Sequence, residues 1–226
     1  MILYNLFPIP VLRMPANPET YDSIQIEIKN AWEKMKSDKD YSNLTSYNFL
    51  SKKNPAEKTY DFIEKFNCVN LKKRIEECAL EYVYQSGWTG QWNGNSPIEI
   101  KESWLNVMES GSNHSPHCHP GYSISGVYYF RVDESFGSLS FSNPNPLLMS
   151  CNFPQGFICP QHSLITPCRG DIILFPSWLI HSTLINQNDE DRVSVAFNID
   201  LVNLNNTRIK NGLVKGSHIP VVKSEI

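Results

Sequence analysis

The sequence predicts a mainly β chain with N-terminal helices, an α+β arrangement in which helices pack against a β-sandwich or barrel. Two observations predict it. Up to Gln85 the apolar residues recur at helical spacing, and beyond Gly87 short strand-like runs alternate with turn residues. Strands and helices do not alternate along the chain, which argues against a parallel βαβ fold.

In chain order, Met1 to Pro10 is apolar but broken by Pro8 and Pro10. It has no basic leader and no small-residue cleavage pattern, so it reads as mature protein. From Pro18 to Met35, the residues Ile24, Ile28, Ala31, Trp32 and Met35 fall on one helical face. Pro55 to Phe66 predicts a shorter helix with Phe62 and Phe66 one turn apart. Asn67 to Gln85 repeats the first pattern with Leu71, Ile75, Cys78, Ala79 and Tyr82. Gly90, Gly94 and Pro97 then punctuate a loop. Strands are expected over Ile98 to Met108, Ser123 to Val132, Ser138 to Ser142, Ile172 to Phe175 and Arg192 to Val202, with a poorly committed tail from about Asn205. Tyr128 and Trp178 are expected to fill core, as large aromatics do.

The last strand separates Arg192, Ser194, Ala196, Asn198 and Asp200 from Val193, Val195, Phe197, Ile199 and Leu201. If the helices cover one face of the sheet, the apolar set faces them and the polar set lines the cavity. The whole reads as a single domain, 1–226, with a mostly helical support region over 1–90, a β core over 91–204 and a tail over 205–226.

A formal charge of −3 gives no cationic excess to follow a phosphate backbone, so nucleic acid is not implied, and a small-molecule or peptide substrate is easier to accommodate. No run approaches the roughly 18 apolar residues of a membrane span. The six cysteines, Cys68, Cys78, Cys118, Cys151, Cys159 and Cys168, form no CxxC pair, which points to reduced thiols and a cytoplasmic location. A homo-oligomer is compatible with all of this.

Chemistry concentrates in a few histidines. In Asn113-His114-Ser115-Pro116-His117-Cys118-His119-Pro120, His117 and His119 are two apart, so in extended backbone their imidazoles project to one side and can reach one metal, while Cys118 points away. His114, on a loop, is an alternative to one of the pair. A third ligand is available in His181, at the end of a turn-plus-strand run that begins at Gly170-Asp171. Arg192 and Ser194 share a strand face beyond it, a guanidinium fork and a hydroxyl suited to gripping a carboxylate.

This ordered set, HxH, a distal His in Phe175-Pro176-Ser177-Trp178-Leu179-Ile180-His181, and Arg192-Val193-Ser194, resembles the 2-oxoglutarate and Fe(II)-dependent oxygenase superfamily, and more narrowly the group described as "putative 2OG-Fe(II) oxygenase". The resemblance runs from Leu6-Phe7-Pro8-Ile9-Pro10 through Trp104-Leu105-Asn106-Val107 and Ser125-Gly126-Val127-Tyr128-Tyr129 to Asn198. It implies a double-stranded β-helix, a cupin-like jelly roll, with Fe(II) held by His117, His119 and His181 at one open end. His119 stands where the superfamily usually has a carboxylate, a departure that leaves the site one unit more positive.

The resemblance further implies 2-oxoglutarate as co-substrate, its far carboxylate on Arg192 and Ser194, and O2 as oxidant. The outcome would be hydroxylation of a C–H bond with release of succinate and carbon dioxide. Asn106, Ser125 and Tyr129 are candidates to approach the co-substrate or substrate by strand-face sharing. Two other functions fit the same residues: a three-histidine cupin-type dioxygenase that needs no keto acid, and a non-catalytic jelly-roll binding module. Substrate choice is expected to reside in the N-terminal helices and in a loop from Asn143 to Cys168.

Overall fold

The computed structural model describes residues 8–37, 61–87, 96–145 and 161–202. Expectations for Leu6 and Phe7, the start of the second helix at Pro55, the Gly90 and Gly94 loop, Cys151, Cys159 and the tail from Asn205 lie outside the described residues. So does most of the Asn143–Cys168 segment.

The described chain runs β1 (Leu12–Met14), α1 (Tyr21–Ser37), α2 (Phe62–Lys65), α3 (Val69–Gln85), β2 (Ile98–Met108), β3 (Ile124–Arg131), β4 (Leu139–Ser142), β5 (His162–Ile165), β6 (Ile172–Pro176), β7 (His181–Thr183) and β8 (Arg192–Leu201). The strands form two antiparallel sheets, one ordered β1-β6-β3-β8-β2 and the other β5-β4-β7. No described helix is long and apolar enough to cross a membrane.

Helix α1 buries Ile24, Ile28, Ala31, Trp32 and Met35, the set its periodicity selects. Helix α3 has no side-chain cap of its own at Cys68. Instead, the Glu27 carboxylate of α1 accepts hydrogen bonds from the backbone N–H groups of Asn70 and Leu71 at 2.9 and 3.0 Å, and from Asn70 Nδ2 at 2.7 Å. A carboxylate at a helix N-terminus satisfies otherwise orphaned donors and complements the dipole there, so it also sets how the two helices meet.

Helix residues share one hydrophobic cluster with Leu105, Ile124, Tyr128, Ile172, Leu174, Val193, Val195, Phe197 and Ile199 of the five-stranded sheet. A second cluster joins Tyr129, Ile173 and Phe175 of that sheet to Leu139 and Phe141 of the smaller one. Strand alternation therefore turns Trp104, Asn106, Ser125, Tyr129, Arg192, Ser194 and Asn198 toward the second sheet, and all are buried.

Three short strands, β1, β5 and β7, go beyond the expected set, and β5 falls inside the segment expected to be a loop. Its His162, Ser163 and Leu164 are exposed, so it carries no apolar pattern. Trp178 does not fill core: it is 53% exposed on the turn between β6 and β7, which buries Leu179 in its place.

Candidate metal centre

Strand β6 begins after a turn in which Gly170, at φ +86°, donates its N–H to the Tyr129 carbonyl at 2.7 Å. A Cβ there would lie 2.7 Å from Ala16 Cβ and 2.9 Å from the Tyr21 ring, so glycine is needed for space as well as conformation. The turn starts β6, the next turn starts β7, and His181 opens β7. The segment carrying the HxH pair lies antiparallel to β7: the His117 N–H donates to the His181 carbonyl and the His181 N–H to the His117 carbonyl, both at 2.9 Å. The His119 N–H donates to the Ser177 carbonyl at 2.8 Å.

These bonds bring His117, His119 and His181 together, with a ligand atom of each within 4.8 Å of the others. The ring centroids are 5.0 Å apart for His117 and His119, 4.4 Å for His117 and His181, and 5.2 Å for His119 and His181. His114 is not part of the cluster.

Two of the rings are fixed in a tautomer suited to metal. His117 Nδ1 lies 2.8 Å from the Ser115 carbonyl and His181 Nδ1 lies 2.9 Å from the Leu179 carbonyl. A carbonyl only accepts, so the proton sits on Nδ1 and Nε2 keeps its lone pair for a cation. Burial lowers His119 to about 4, helped by the nearby His117. Burial also lowers His181 to about 3, partly offset by the Leu179 carbonyl and reinforced by the other histidines. Both are neutral near pH 7, the form in which imidazole binds metal. Aromatic rings pack beside two of the ligands, with Trp104 5.6 Å from His119 and Phe175 and Phe141 4.6 and 6.5 Å from His181, while His117 is exposed.

Deeper on the same sheet face, Ser194 is the cross-strand partner of both Asn106 and Tyr129, and Arg192 is that of Met108. Arg192 is 2% exposed, and its Nε and Nη1 have no hydrogen-bond partner among the described residues; neither does the buried Tyr129 hydroxyl. The guanidinium carbon sits 5.3 Å from the Tyr129 ring centroid. Burial raises the Tyr129 pKa and the nearby cation pulls it partly back. A ligand carboxylate would satisfy the buried polar groups of Arg192 and Tyr129, so the residues present fit a keto diacid.

The remaining sequence candidates have hydrogen-bond partners on the same interior face. Asn106 Oδ1 accepts from Trp104 Nε1 at 3.0 Å. Ser125 Oγ donates to Asn198 Oδ1 at 2.8 Å and lies 2.9 Å from Ser177 Oγ, while Asn198 Nδ2 donates to Glu102 Oε2 at 3.0 Å. Ser125 thereby braces the turn whose Ser177 carbonyl holds His119. Sequence reasoning overlooked Ser177, Phe141 and Thr183. Thr183 had a usable signal, lying two residues beyond His181 on the same strand face.

Among known proteins, residues 102–198 match the family described as "Putative 2OG-Fe(II) oxygenase". No curated protein matches the chain. Solved structures of similar fold include AviO1 from Streptomyces viridochromogenes Tue57, at 10% identity over 85% of this chain and 90% of that chain, with a TM-score of 0.54. A prolyl-4-hydroxylase from Pseudomonas putida matches at 11% identity over 85% of this chain and 88% of that one, with a TM-score of 0.50. An oxidoreductase of the 2OG-Fe(II) oxygenase family from Burkholderia pseudomallei matches at 17% identity over 65% of this chain, with a TM-score of 0.44; there the chain spans 61% of the other's length. The matched stretch contains His117, His119, His181, Arg192 and Ser194, and over it the chain is similar to that oxygenase family.

Proposed function

We propose that this chain is an Fe(II)- and 2-oxoglutarate-dependent dioxygenase that hydroxylates a C–H bond of a small-molecule or peptide substrate. The observation that carries the reading is the pairing of three converging imidazoles with a buried, unpartnered Arg192 on the sheet face turned toward them. A structural histidine cluster would not need the arginine. A three-histidine dioxygenase without a keto acid would leave it unused.

In this reading the two sheets are the halves of a jelly-roll barrel with α1 and α3 supporting the larger one, and the whole chain is one domain working in a reducing compartment such as the cytoplasm. His117, His119 and His181 bind the cation through neutral nitrogens and leave its remaining positions open. Arg192 and Tyr129 hold the far carboxylate of the co-substrate, with Ser194 beside them, and so fix the direction in which its keto end points. Trp104, Phe141 and Phe175 exclude water around His119 and His181. When bound, iron, 2-oxoglutarate and O2 supply the oxidising power, with succinate and carbon dioxide as products.

The test is succinate formation by the purified protein with Fe(II), ascorbate and 2-oxoglutarate in air. Slow succinate release is expected from the wild type. It should vanish in His181→Ala and fall sharply in Arg192→Ala. Oxygen uptake that proceeds at the same rate without the keto acid would refute the proposal and favour the cupin-type alternative.

A further inference from the structure

His114 lies outside the metal cluster yet belongs to the same interior lining. Its chain segment runs antiparallel to β7 on past the His117–His181 pair: the His114 N–H donates to Thr183 Oγ1 at 2.8 Å and the Thr183 N–H donates to the His114 carbonyl at 3.1 Å. Thr183 Oγ1 in turn donates to Met108 Sδ at 3.7 Å, and Met108 is the cross-strand partner of Arg192. Thr183, the partner of His114, stands two residues along β7 from His181, roughly 6.6 Å, and its contact with Met108 directs that offset toward Arg192. That offset is comparable with the backbone of a five-carbon diacid.

The ring itself is half-buried, 6.3 Å from the His117 ring in an edge-on arrangement. Neither ring nitrogen takes a hydrogen bond among the described residues. The imidazole brings at least one N–H donor in any protonation state. The Tyr129 hydroxyl and two guanidinium nitrogens also lack partners among the described residues, which makes four such groups on three side chains.

We infer that His114 is a co-substrate-binding residue, donating its ring N–H to the far carboxylate of 2-oxoglutarate opposite Arg192. This rests on the proposed keto-acid reading and adds a residue from the smaller sheet's edge to a site otherwise built on the larger sheet. It also gives the segment carrying the HxH pair a second attachment to the co-substrate, so that binding the diacid tightens the loop that holds two of the metal ligands.

The experiment is calorimetric titration of Mn(II)-loaded protein with 2-oxoglutarate and, in parallel, with 2-oxopentanoate, which keeps the chelating end but lacks the far carboxylate. His114→Phe should weaken 2-oxoglutarate binding about tenfold, the worth of one charge-assisted hydrogen bond, and leave 2-oxopentanoate binding unchanged. His114→Gln, which restores a donor, should recover most of the loss. Metal content should stay at the wild-type level in both variants. Equal 2-oxoglutarate affinity in His114→Phe, or equal losses for both keto acids, would overturn the inference while leaving the proposed function intact. Loss of metal in His114→Gln would overturn it by making His114 a ligand. Absence of any 2-oxoglutarate binding by the metal-loaded wild type would sink the proposed function, and this inference with it.

Discussion

Replacing Arg192 by Met should make the metal-free protein more stable and the co-substrate site useless. Arg192 is 2% exposed, makes no ion pair with a carboxylate among the described residues and leaves Nε and Nη1 unpartnered. Its favourable contact is the Tyr129 face at 5.3 Å, worth about 0.5–2 kcal/mol. Desolvating a charge costs several kcal/mol, so a neutral side chain of similar length should stabilise the free protein by about 1–4 kcal/mol, on the order of 2–16 °C in a chain of this size. The same change removes the partner of a buried carboxylate in the complex, costing about 2–5 kcal/mol, or roughly 30-fold to several thousand-fold in Kd. Thermal denaturation of the Mn(II)-loaded protein with and without 2-oxoglutarate reads both effects, because saturating ligand at 100 times Kd adds about 2.7 kcal/mol to a binding-competent fold. Arg192→Met should melt higher than wild type without ligand and gain nothing from it, and Arg192→Lys should gain less than wild type. A lower melting point in the Met variant together with an undiminished ligand shift would refute the reasoning.

The other expectations concern packing, pH and ligand exchange. Gly126→Ala would place a Cβ 2.4 Å from Phe197 Cε2 and 2.6 Å from Leu174 Cδ2, inside the helix-facing core, and should cost about 1–3 kcal/mol by urea denaturation with metal content per folded chain unchanged. His114, His119 and His181 have folded pKa values of about 4, 4 and 3, below the 6.5 of free imidazole, so the unfolded chain takes up protons first. Stability of the metal-free protein should therefore be insensitive to these groups above pH 6.5 and fall as pH drops toward 4, by up to about 1.4 kcal/mol per pH unit for each histidine; urea midpoints at pH 7.5, 5.5 and 4.5 would show it. His119→Asp should still hold a divalent ion by elemental analysis, since a carboxylate is an ordinary third ligand beside two histidines, whereas His119→Ala should weaken metal binding at least about tenfold.

What was legible in the sequence follows the length of the pattern. Helix α1 and strand β8 each repeat a single period over many residues, so Ile24 through Met35 and the two faces of Arg192–Leu201 could be assigned by counting. The HxH pair was legible for the same reason, because a period of two sends both rings one way. Strands β1, β5 and β7 are three or four residues long, too short to show alternation. Trp178 was misread because its size suggested core while its place on a tight turn exposes it. Contacts between distant segments left no local trace: Glu27 caps a helix 43 residues away, and Ser125 meets Ser177 and Asn198 across 52 and 73 residues. The position of His114 opposite Thr183, likewise, depends on two segments meeting in space and not on either sequence alone.

The number of imidazoles around the metal tests the account most directly. X-ray absorption at the iron edge of the anaerobic Fe(II)-loaded protein should fit three histidine ligands, falling to two in His119→Ala, with the added 2-oxoglutarate replacing light scatterers and not a histidine. A wild-type spectrum that fits one histidine or none would contradict the convergence of His117, His119 and His181 on a single ion.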